Sequence, residues 1–245
     1  MTALVQTTRL YVLVEGQTEE EFVKSVLAPH LEPIGVWVYA IVVETSRDLS
    51  GHKRRGGGHW KRWRSDLGLL TKQQHGAGVW FTTMFDLYGL PKDFPELDVH
   101  RKVVDTTLRA SLLEDAMARA VSDRRFVPNI QRHEFEALVL ASLDSLAKLF
   151  EDSTDLSGVA SLRQVLQNLA PEDINDGKTT APSKRLEAAI PSYRKTLHGP
   201  LAAAAAGLPL LRSQCPRFDA WVGKLETLGT HEPLTPNTAT PPPAA

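Results

Sequence analysis

The hydrophobic pattern of the first 150 residues alternates between two kinds of segment. Four short apolar runs rich in β-branched residues have the length of strands, and they lie at 10–14, 36–43, 79–85 and 126–130. Four stretches with apolar residues at three- and four-residue steps have the pattern of helices, and they span about 17–31, 60–70, 101–121 and 134–150. Strands that alternate with helices build right-handed βαβ units and a parallel sheet. We therefore predict an α/β fold for residues 1–150, with a mostly parallel sheet between helices.

The chain loses its strand pattern after residue 150. Segments 159–169, 182–189 and 218–228 are typical of helices and are separated by proline and glycine. We predict that residues 151–229 form a helical extension packed on the core. Residues 201–206, LAAAAA, have high helix propensity but few large groups to pack. Residues 230–245 are rich in Pro, Ala and Thr and have too few large apolar groups to order, so a disordered tail is predicted.

Composition excludes several classes of protein. No apolar run approaches the roughly eighteen residues of a membrane span, and no secretory signal is visible, so we expect a cytoplasmic protein with no membrane partner. The single cysteine, Cys215, excludes an internal disulfide and a cysteine-based zinc site. A net charge of −1 argues against a protein that coats nucleic acid by bulk attraction, although a local patch remains compatible with that average.

Acidic residues follow three of the four predicted strands. Glu15 ends the first strand, Asp86 ends the third, and His133, Glu134 and Glu136 follow the fourth. Ligands of doubly wound sheets bind beyond the carboxyl ends of the strands, so these groups are expected to meet at one edge. Clustered carboxylates repel one another unless a cation neutralises them, and an all-oxygen site prefers Mg²⁺ or Mn²⁺. The edge is therefore a candidate site for phosphoryl transfer.

Each acid also has a purely structural interpretation. The acids from Glu19 to Glu21 lie in the first turn of a helix, where the macrodipole favours them, and Thr18 with Glu21 matches a capping box. Asp86 could start a turn, and His133 with Glu134 could be an exposed helix start. Capping does not account for Glu15, which precedes the helix.

A basic segment at 52–67 is the second group of candidate functional residues, after the acids at the strand ends. Six cations occur there without an intervening acid: Lys53, Arg54, Arg55, Lys61, Arg62 and Arg64. Such a segment suits a phosphate backbone. Trp60 and Trp63 could stack bases, but with Leu67 and Leu70 they form a helical apolar stripe, which favours core packing.

Cations also occur in the predicted C-terminal helices, at Lys178, Lys184, Arg185 and Lys195. They could close over a substrate or solvate an exposed surface, which is the commoner role of charges on helices. Lys184 and Arg185, with His133, are kept as candidate substrate-binding residues.

Five blocks of sequence resemble a known bacterial family. LYVLVEGQTEEEF resembles the glutamate motif of the Toprim fold, and MFDLYG resembles its aspartate motif. VEGQTEEEF, TMFDLYGLPKDFP, VPNIQRHEFEALVL, TAPSKRL and CPRFDAWVGKLE resemble, in that order, the family called domain of unknown function 4276. The resemblance extends to about Gly229.

This resemblance implies a Toprim-like core, as in topoisomerases, primases and the nuclease domains of overcoming-lysogenization-defect proteins. It implies that Glu15 is a general acid or base and that Asp86 holds Mg²⁺. Tyr88 stands where the Toprim motif has its second aspartate, so Glu134, Glu136 or Asp93 would have to supply that carboxylate. Glu19 and Glu136 are further candidate metal ligands, and Glu134 is a further candidate catalytic residue.

The first functional hypothesis is a Mg²⁺-dependent nuclease acting on DNA or RNA. The resemblance also implies an ABC-type or AAA-type ATPase partner and a role in defence against phage. The alternatives are a catalytically silent subunit that binds nucleic acid or regulates an ATPase, and a phosphotransferase on the same site.

Overall fold

The computed structural model describes residues 7–43, 46–47, 53–54, 58–174 and 180–229, with backbone alone at 46–47 and 53–54. The strands of its main sheet are β1 (Thr8–Val14), β2 (Val36–Val42), β5 (Val79–Asp86), β6 (Phe126–Val127) and β7 (Ile130–Gln131). The sheet is entirely parallel, with strands in the order β2-β1-β5-β6 and with β7 also paired to β5. Two short strands, β3 (Ser46–Arg47) and β4 (Lys53–Arg54), form a separate antiparallel pair. The predicted α/β fold with a mostly parallel sheet is confirmed.

Helices connect the strands and, with the turns and loops between them, make up the rest of the described chain. The first crossover is continuous: α1 (Gln17–Phe22), a π-helical turn (Val23–Leu27), α2 (Ala28–Leu31) and a 3₁₀ turn (Glu32–Ile34). The core is completed by α3 (Trp60–Gln73), α4 (Leu97–His100), α5 (Thr106–Val121), α6 (Glu136–Leu140) and α7 (Leu143–Ala147). The extension contains α8 (Ser153–Leu166), a 3₁₀ turn (Pro171–Asp173), α9 (Pro182–Ala189), α10 (Lys195–Ala206), α11 (Leu208–Gln214) and α12 (Pro216–Thr227). None of the described helices is long and apolar enough to cross a bilayer.

Each face of the sheet carries its own hydrophobic cluster. Successive side chains of a strand point to opposite faces, so Leu10 and Val12 of β1 join one cluster while Tyr11 and Leu13 join the other. The first cluster lies under α1, α6–α8 and the C-terminal helices, and the second lies under α3 and α5. Trp63 is 1% exposed and packs on Phe85, which confirms core packing for the tryptophans over base stacking.

The predicted fourth strand is divided in two. Pro128 cannot donate a backbone hydrogen bond, and the Thr83 side chain fills the gap by bonding Asn129. Thr83 Oγ1 donates to the Asn129 carbonyl at 2.7 Å and accepts from the Asn129 N–H at 3.1 Å.

Helix boundaries differ from the predictions where side chains bond the backbone. The helix predicted from residue 101 begins at Thr106, because the Asp105 carboxylate caps it by accepting from the Thr107 and Leu108 N–H groups. The helix predicted over 134–150 is broken near Ser142, whose hydroxyl donates to the Leu138 carbonyl at 2.7 Å. The capping box predicted for Thr18 and Glu21 is wrong: Gly16 is the N-cap, and Thr18 is buried inside α1.

The C-terminal helices share the first hydrophobic cluster with β1. The alanine-rich half of α10 contributes buried Ala202 and Ala203 and packs beside α1 and α7. Trp221 of α12 donates from Nε1 to Thr82 Oγ1 of β5 at 3.0 Å. The short alanine side chains therefore have a packing role, since they let α10 lie close to its neighbours.

Candidate active site

Glu15 and Asp86 meet because β1 and β5 are in register. Val14 lies opposite Met84, so Glu15 follows β1 beside the last residues of β5. The Asp86 N–H donates to Glu15 Oε1 at 2.7 Å. Strand polarity predicted that these two acids would lie close together, and they do so in the structure.

Asp86 is held from the other side by the segment after β7. Its Oδ1 accepts from the Phe135 N–H at 2.9 Å. Glu134, next to Phe135, accepts the Ser183 N–H of α9 on Oε2 at 2.9 Å. The third acidic segment therefore does reach the ends of β1 and β5.

Two further carboxylates, Glu19 and Glu136, are buried beside this pair. Glu19 lies in the first turn of α1 and is 4% exposed, and Glu136 begins α6 and is 0% exposed. Lys195 Nζ donates to Glu136 Oε2 at 3.0 Å, while Glu136 Oε1 has no hydrogen-bond partner among the described residues. We call Glu15, Glu19, Asp86 and Glu136 the carboxylate cluster.

Burial raises the pKa of every member of the cluster, and neighbouring acids add to the rise at Glu15, Asp86 and Glu136. Burial raises the pKa of Glu15 to about 8, the Asp86 N–H opposes that rise, and the Glu19 charge adds to it. Burial raises the pKa of Glu136 to about 7 against the opposing Lys195 charge. The pKa of Asp86 is well above its usual range because of burial and then of Glu15, and burial also raises the pKa of Glu19. Perturbed acids at a sheet edge are typical of functional sites.

Gly89 leaves the space that the Glu15 carboxylate occupies. A Cβ atom at position 89 would lie 2.6 Å from Glu15 Oε2. The turn after β5 therefore favours glycine at position 89, because a side chain there would overlap the Glu15 carboxylate.

His133 is buried and orients Tyr88. The His133 backbone has a φ of 65°, a left-handed conformation that is uncommon outside glycine. Its Nδ1 is 3.0 Å from the Tyr88 hydroxyl, and its carbonyl accepts from the Tyr88 N–H at 3.3 Å. Burial, followed by the Arg132 and Arg109 charges, lowers the pKa of His133 to about 4. The alternative that His133 is an exposed helix start is wrong.

Asp93 does not supply the missing carboxylate. Its Oδ1 accepts from the Trp60 N–H at 2.9 Å, and its Oδ2 accepts from the Lys61 N–H at 3.4 Å. The residue caps α3 and ties the basic helix to the segment after β5.

The predicted substrate-binding cations occupy different places. Lys61, Arg62 and Arg64 are exposed on α3, and no contact among the described residues joins them to the carboxylate cluster. The side chains of Lys53 and Arg54, together with Arg55 and Lys178, lie outside the described residues.

The two candidates on α9 also differ from each other. Lys184 is exposed and bonds Glu187 Oε2 at 2.6 Å, and the Glu134 charge contributes to the rise of its pKa. Arg185 turns back and donates to the Thr180 carbonyl at 2.8 Å. Lys184 is therefore near the site, while Arg185 stabilises the start of its own helix.

Sequence reasoning left two roles open for Lys195, closing over a substrate or solvating a surface, and favoured the second; the structure instead joins Lys195 to the carboxylate cluster. Its side chain is 38% exposed, bonds Glu136, and its pKa is raised by the Glu136 and Asp86 charges against the effect of burial. A signal was present, because Lys195 is the first residue of α10, where the macrodipole disfavours a cation. A lysine at that position indicates a nearby acid.

The donors of the cluster suit a hard divalent ion, since all are carboxylate oxygens and Glu136 Oε1 is buried without a partner. Lys195 lies beside these acids, and its single positive charge offsets part of their negative charge. Over the described ranges, no group of three or more His, Cys, Asp or Glu side chains is placed to hold a metal ion. The chemistry of the donor set fits Mg²⁺, and the metal itself stays a prediction.

Solved structures similar to this chain come from OLD proteins. The C-terminal region of the Burkholderia pseudomallei OLD protein is 15% identical, with 91% of this chain and 98% of that chain covered and a TM-score of 0.46. A structure of the C-terminal region of the Xanthomonas campestris pv. campestris OLD protein is 15% identical, with 93% and 100% covered and a TM-score of 0.39. Residue roles do not transfer at these identities and scores. The comparison with curated proteins gives no match.

The sequence blocks that carry the predicted family resemblance fall largely within residues 14–226. The model of the family described as Domain of unknown function (DUF4276) matches that range. It spans both the sheet edge with its carboxylate cluster and the helices that bring Lys195 to it, and this chain therefore belongs to that family.

Proposed function

We propose that this protein is a Mg²⁺-dependent nuclease that hydrolyses phosphodiester bonds of DNA or RNA. The observation that carries the proposal is the meeting of Glu15, Glu19, Asp86 and Glu136 with Lys195 beyond the carboxyl ends of β1 and β5. Acids gathered at that edge suit a reaction in which negatively charged phosphate must be neutralised and a proton must move.

The carboxylate cluster would hold the ion, with Glu15, Asp86, Glu19 and Glu136 as the available donors. A bound Mg²⁺ or Mn²⁺ would supply Lewis acidity toward phosphate oxygens and an activated water. These residues alone repel one another, which is the physical reason for a cation at this position.

Glu15 is the residue suited to move the proton. With a pKa of about 8 it is mostly protonated near neutral pH, and a general acid or base works best when its pKa lies near the working pH. The Asp86 N–H fixes one carboxylate oxygen, so the other is oriented for transfer.

Lys195 and Lys184 would act on the phosphate. The Lys195 ammonium group lies beside Glu136 and interacts with the Asp86 charge, and Lys184 adds a second positive charge on α9. Both can stabilise the negative charge that develops on phosphate oxygens.

A cleavage assay tests the proposal. Plasmid DNA, linear DNA and RNA would be incubated with the protein in Mg²⁺ or Mn²⁺, and Glu15→Gln and Asp86→Asn would be compared with the matched exposed variant Glu21→Gln. We expect loss of at least about a hundredfold in the first two variants, since removing one catalytic group typically costs that much, and no change in the third. Cleavage that survives both site variants would rule out the proposed site.

The rival function is a catalytically silent subunit, and two observations favour it. Lys195 already neutralises Glu136, and Tyr88 stands where the Toprim motif has a second acid. Calorimetric titration with Mn²⁺ separates the two proposals: the nuclease should bind the ion, and Glu15→Gln with Asp86→Asn should abolish that binding. A silent subunit would give no metal-binding heat in wild type.

The predicted ATPase partner and the defence role rest on the family resemblance alone. Affinity purification from the native host, with mass spectrometry of the retained proteins, tests the partner. Recovery of an ABC-type or AAA-type ATPase by wild type is the expected result.

A further inference from the structure

A cleft of about 600 Å³ opens on the α5 side of the sheet, at the segment that follows β5. One wall is the segment that continues β5 past Asp86, and it contributes Tyr88 and Lys92. The opposite wall comes from α4 and α5 and contributes Arg101 and Arg109. Tyr88 is next in the chain to Gly89, where a Cβ atom would lie 2.6 Å from Glu15 Oε2, so the cleft begins close to the carboxylate cluster.

The charge of this cleft is positive. The residues that line the cleft include three cations, Lys92, Arg101 and Arg109, and one acid, Asp98, which lies 3.7 Å from Arg101 at an exposed position. An anion is therefore the ligand that the cleft favours, and phosphate groups are the anions that arginine and lysine recognise best.

The remaining lining suits a planar base. Leu90 and Leu97 provide apolar surface, and Tyr88 provides an aromatic side chain. Tyr88 is fixed by two bonds to His133, one through its hydroxyl and one through its backbone N–H. A ring held in this way can stack a base with little loss of side-chain freedom.

We propose that the cleft binds one nucleotide of a nucleic-acid strand next to the scissile phosphate. Lys92, Arg101 and Arg109 would hold its phosphate, and Tyr88 with Leu90 and Leu97 would contact its base. The proposal rests on the proposed function, since it assigns a neighbour to the phosphodiester at the carboxylate cluster. The nucleotide would thus be recognised by this cleft and not by the basic segment at 52–67, which the sequence alone had suggested.

Binding to an inactive protein tests the cleft apart from the chemistry. In the Asp86→Asn background, anisotropy of a fluorescent single-stranded oligonucleotide would be measured for Lys92→Ala/Arg101→Ala. The matched control is Lys148→Ala/Arg124→Ala, because Lys148 and Arg124 are exposed, with Lys148 on the other face of the sheet and Arg124 at the amino-terminal end of β6.

We expect the cleft variant to bind about tenfold or more weakly and to lose about two from the slope of log affinity against log salt. The control should bind as the background does. Asp98→Asn should act in the opposite direction and tighten binding by about two- to fivefold, which a merely structural role of the cleft would not produce. Equal binding by the cleft variant and the control would overturn the proposal.

A second arm separates a strand from a free nucleotide. Nucleoside monophosphate would be added as a competitor and titrated alone by calorimetry. Weak competition with the strand, lost in the cleft variant, supports the proposal. Tight binding of the free nucleotide with unchanged strand affinity in the cleft variant would overturn it in favour of a free-nucleotide site.

The two proposals fail in different ways. If wild type cleaves and the cleft variant binds and cleaves normally, the cleft assignment is wrong and the nuclease stands. If no cleavage occurs but the cleft variant loses strand binding, the nuclease is wrong and the cleft belongs to a silent binding subunit.

Discussion

Glu15 is buried, is bonded to one backbone N–H and lies near the Glu19 and Glu134 charges, so its ionisation opposes folding even with Lys195 nearby. Its folded-state pKa of about 8 lies above the ordinary value of 4.5, and the folded state therefore binds more protons than the unfolded state between those two pH values. The stability that the protonated form contributes is lost as pH rises through that window.

Glu15→Gln is therefore expected to stabilise the protein while abolishing activity. At pH 8 without divalent ions, the free energy of unfolding should rise by about 1–2 kcal/mol, and the gain should vanish near pH 4.5. Urea unfolding at pH 5 and pH 8 measures this, with the exposed Glu21→Gln as control. A Glu15→Gln protein less stable than wild type at pH 8 would contradict the assigned burial of this acid.

Gly89 offers a test of the site that leaves every acid in place. Gly89→Ala should displace the Glu15 carboxylate, because the new Cβ would lie 2.6 Å from Oε2. The clash is with the end of a flexible side chain, so stability should change by less than about 1 kcal/mol while cleavage falls about ten- to hundredfold. Gly223→Ala is the matched control, since a Cβ there meets nothing within 4 Å. Equal activity of the two variants would show that Glu15 tolerates displacement.

At the scale of elements, α10 begins with a cation that its own macrodipole disfavours. The compensation comes from Glu136, the first residue of α6, through a 3.0 Å ion pair. The two helices are thus joined at the cluster by opposite charges that are distant in sequence.

Lys195→Met should destabilise the fold by about 1–3 kcal/mol at pH 8, because it leaves the buried Glu136 without its counter-charge. The loss should be smaller at pH 6, below the Glu136 pKa of about 7, where that acid is protonated in both proteins. Lys195→Met/Glu136→Gln should recover most of the stability, and Lys148→Met should change nothing. Thermal unfolding of wild type, Lys195→Met, Glu136→Gln and Lys195→Met/Glu136→Gln at both pH values completes the double-mutant cycle, with Lys148→Met as the control. Additive effects would mean that the two residues do not interact.

At the scale of the whole molecule, the C-terminal helices complete one face of the sheet. Trp221 reaches Thr82 of β5, and the Thr8 hydroxyl donates to the Leu228 carbonyl at 3.1 Å. The segment after residue 150 thus covers apolar surface that the sheet cannot cover by itself.

A chain ending at Phe150 is therefore expected not to fold, whereas a chain ending at Gly229 should keep the melting temperature of the full protein. Circular dichroism and tryptophan fluorescence would follow unfolding, and the two signals should coincide in the chain ending at Gly229 because one core unfolds as a unit. A folded fragment of residues 1–150 would show that the sheet is stable without its extension.

Much of the fold and the Glu15–Asp86 pair could be predicted from the sequence, because both depend on local pattern. Apolar runs define the strands, and parallel strand ends share one edge, so the acids after them converge. Helix ends were less predictable, since Asp105 and Ser142 act through bonds to the backbone that propensity does not specify. Val104 lies within the helix predicted from residue 101 but precedes the Asp105 cap, and it is 93% exposed.

Short segments of sequence were enough to predict the long strands of the parallel sheet and the positions of Glu15 and Asp86, and five blocks of sequence were enough to predict the family. The packing of the folded chain was needed to show that Lys195 joins the cluster, that Asp93 caps α3, and that Tyr88 and Arg101 line one cleft. These contacts join residues far apart in the chain. They depend on how whole helices pack on the two faces of the sheet, and local patterning does not encode the relative placement of such distant side chains.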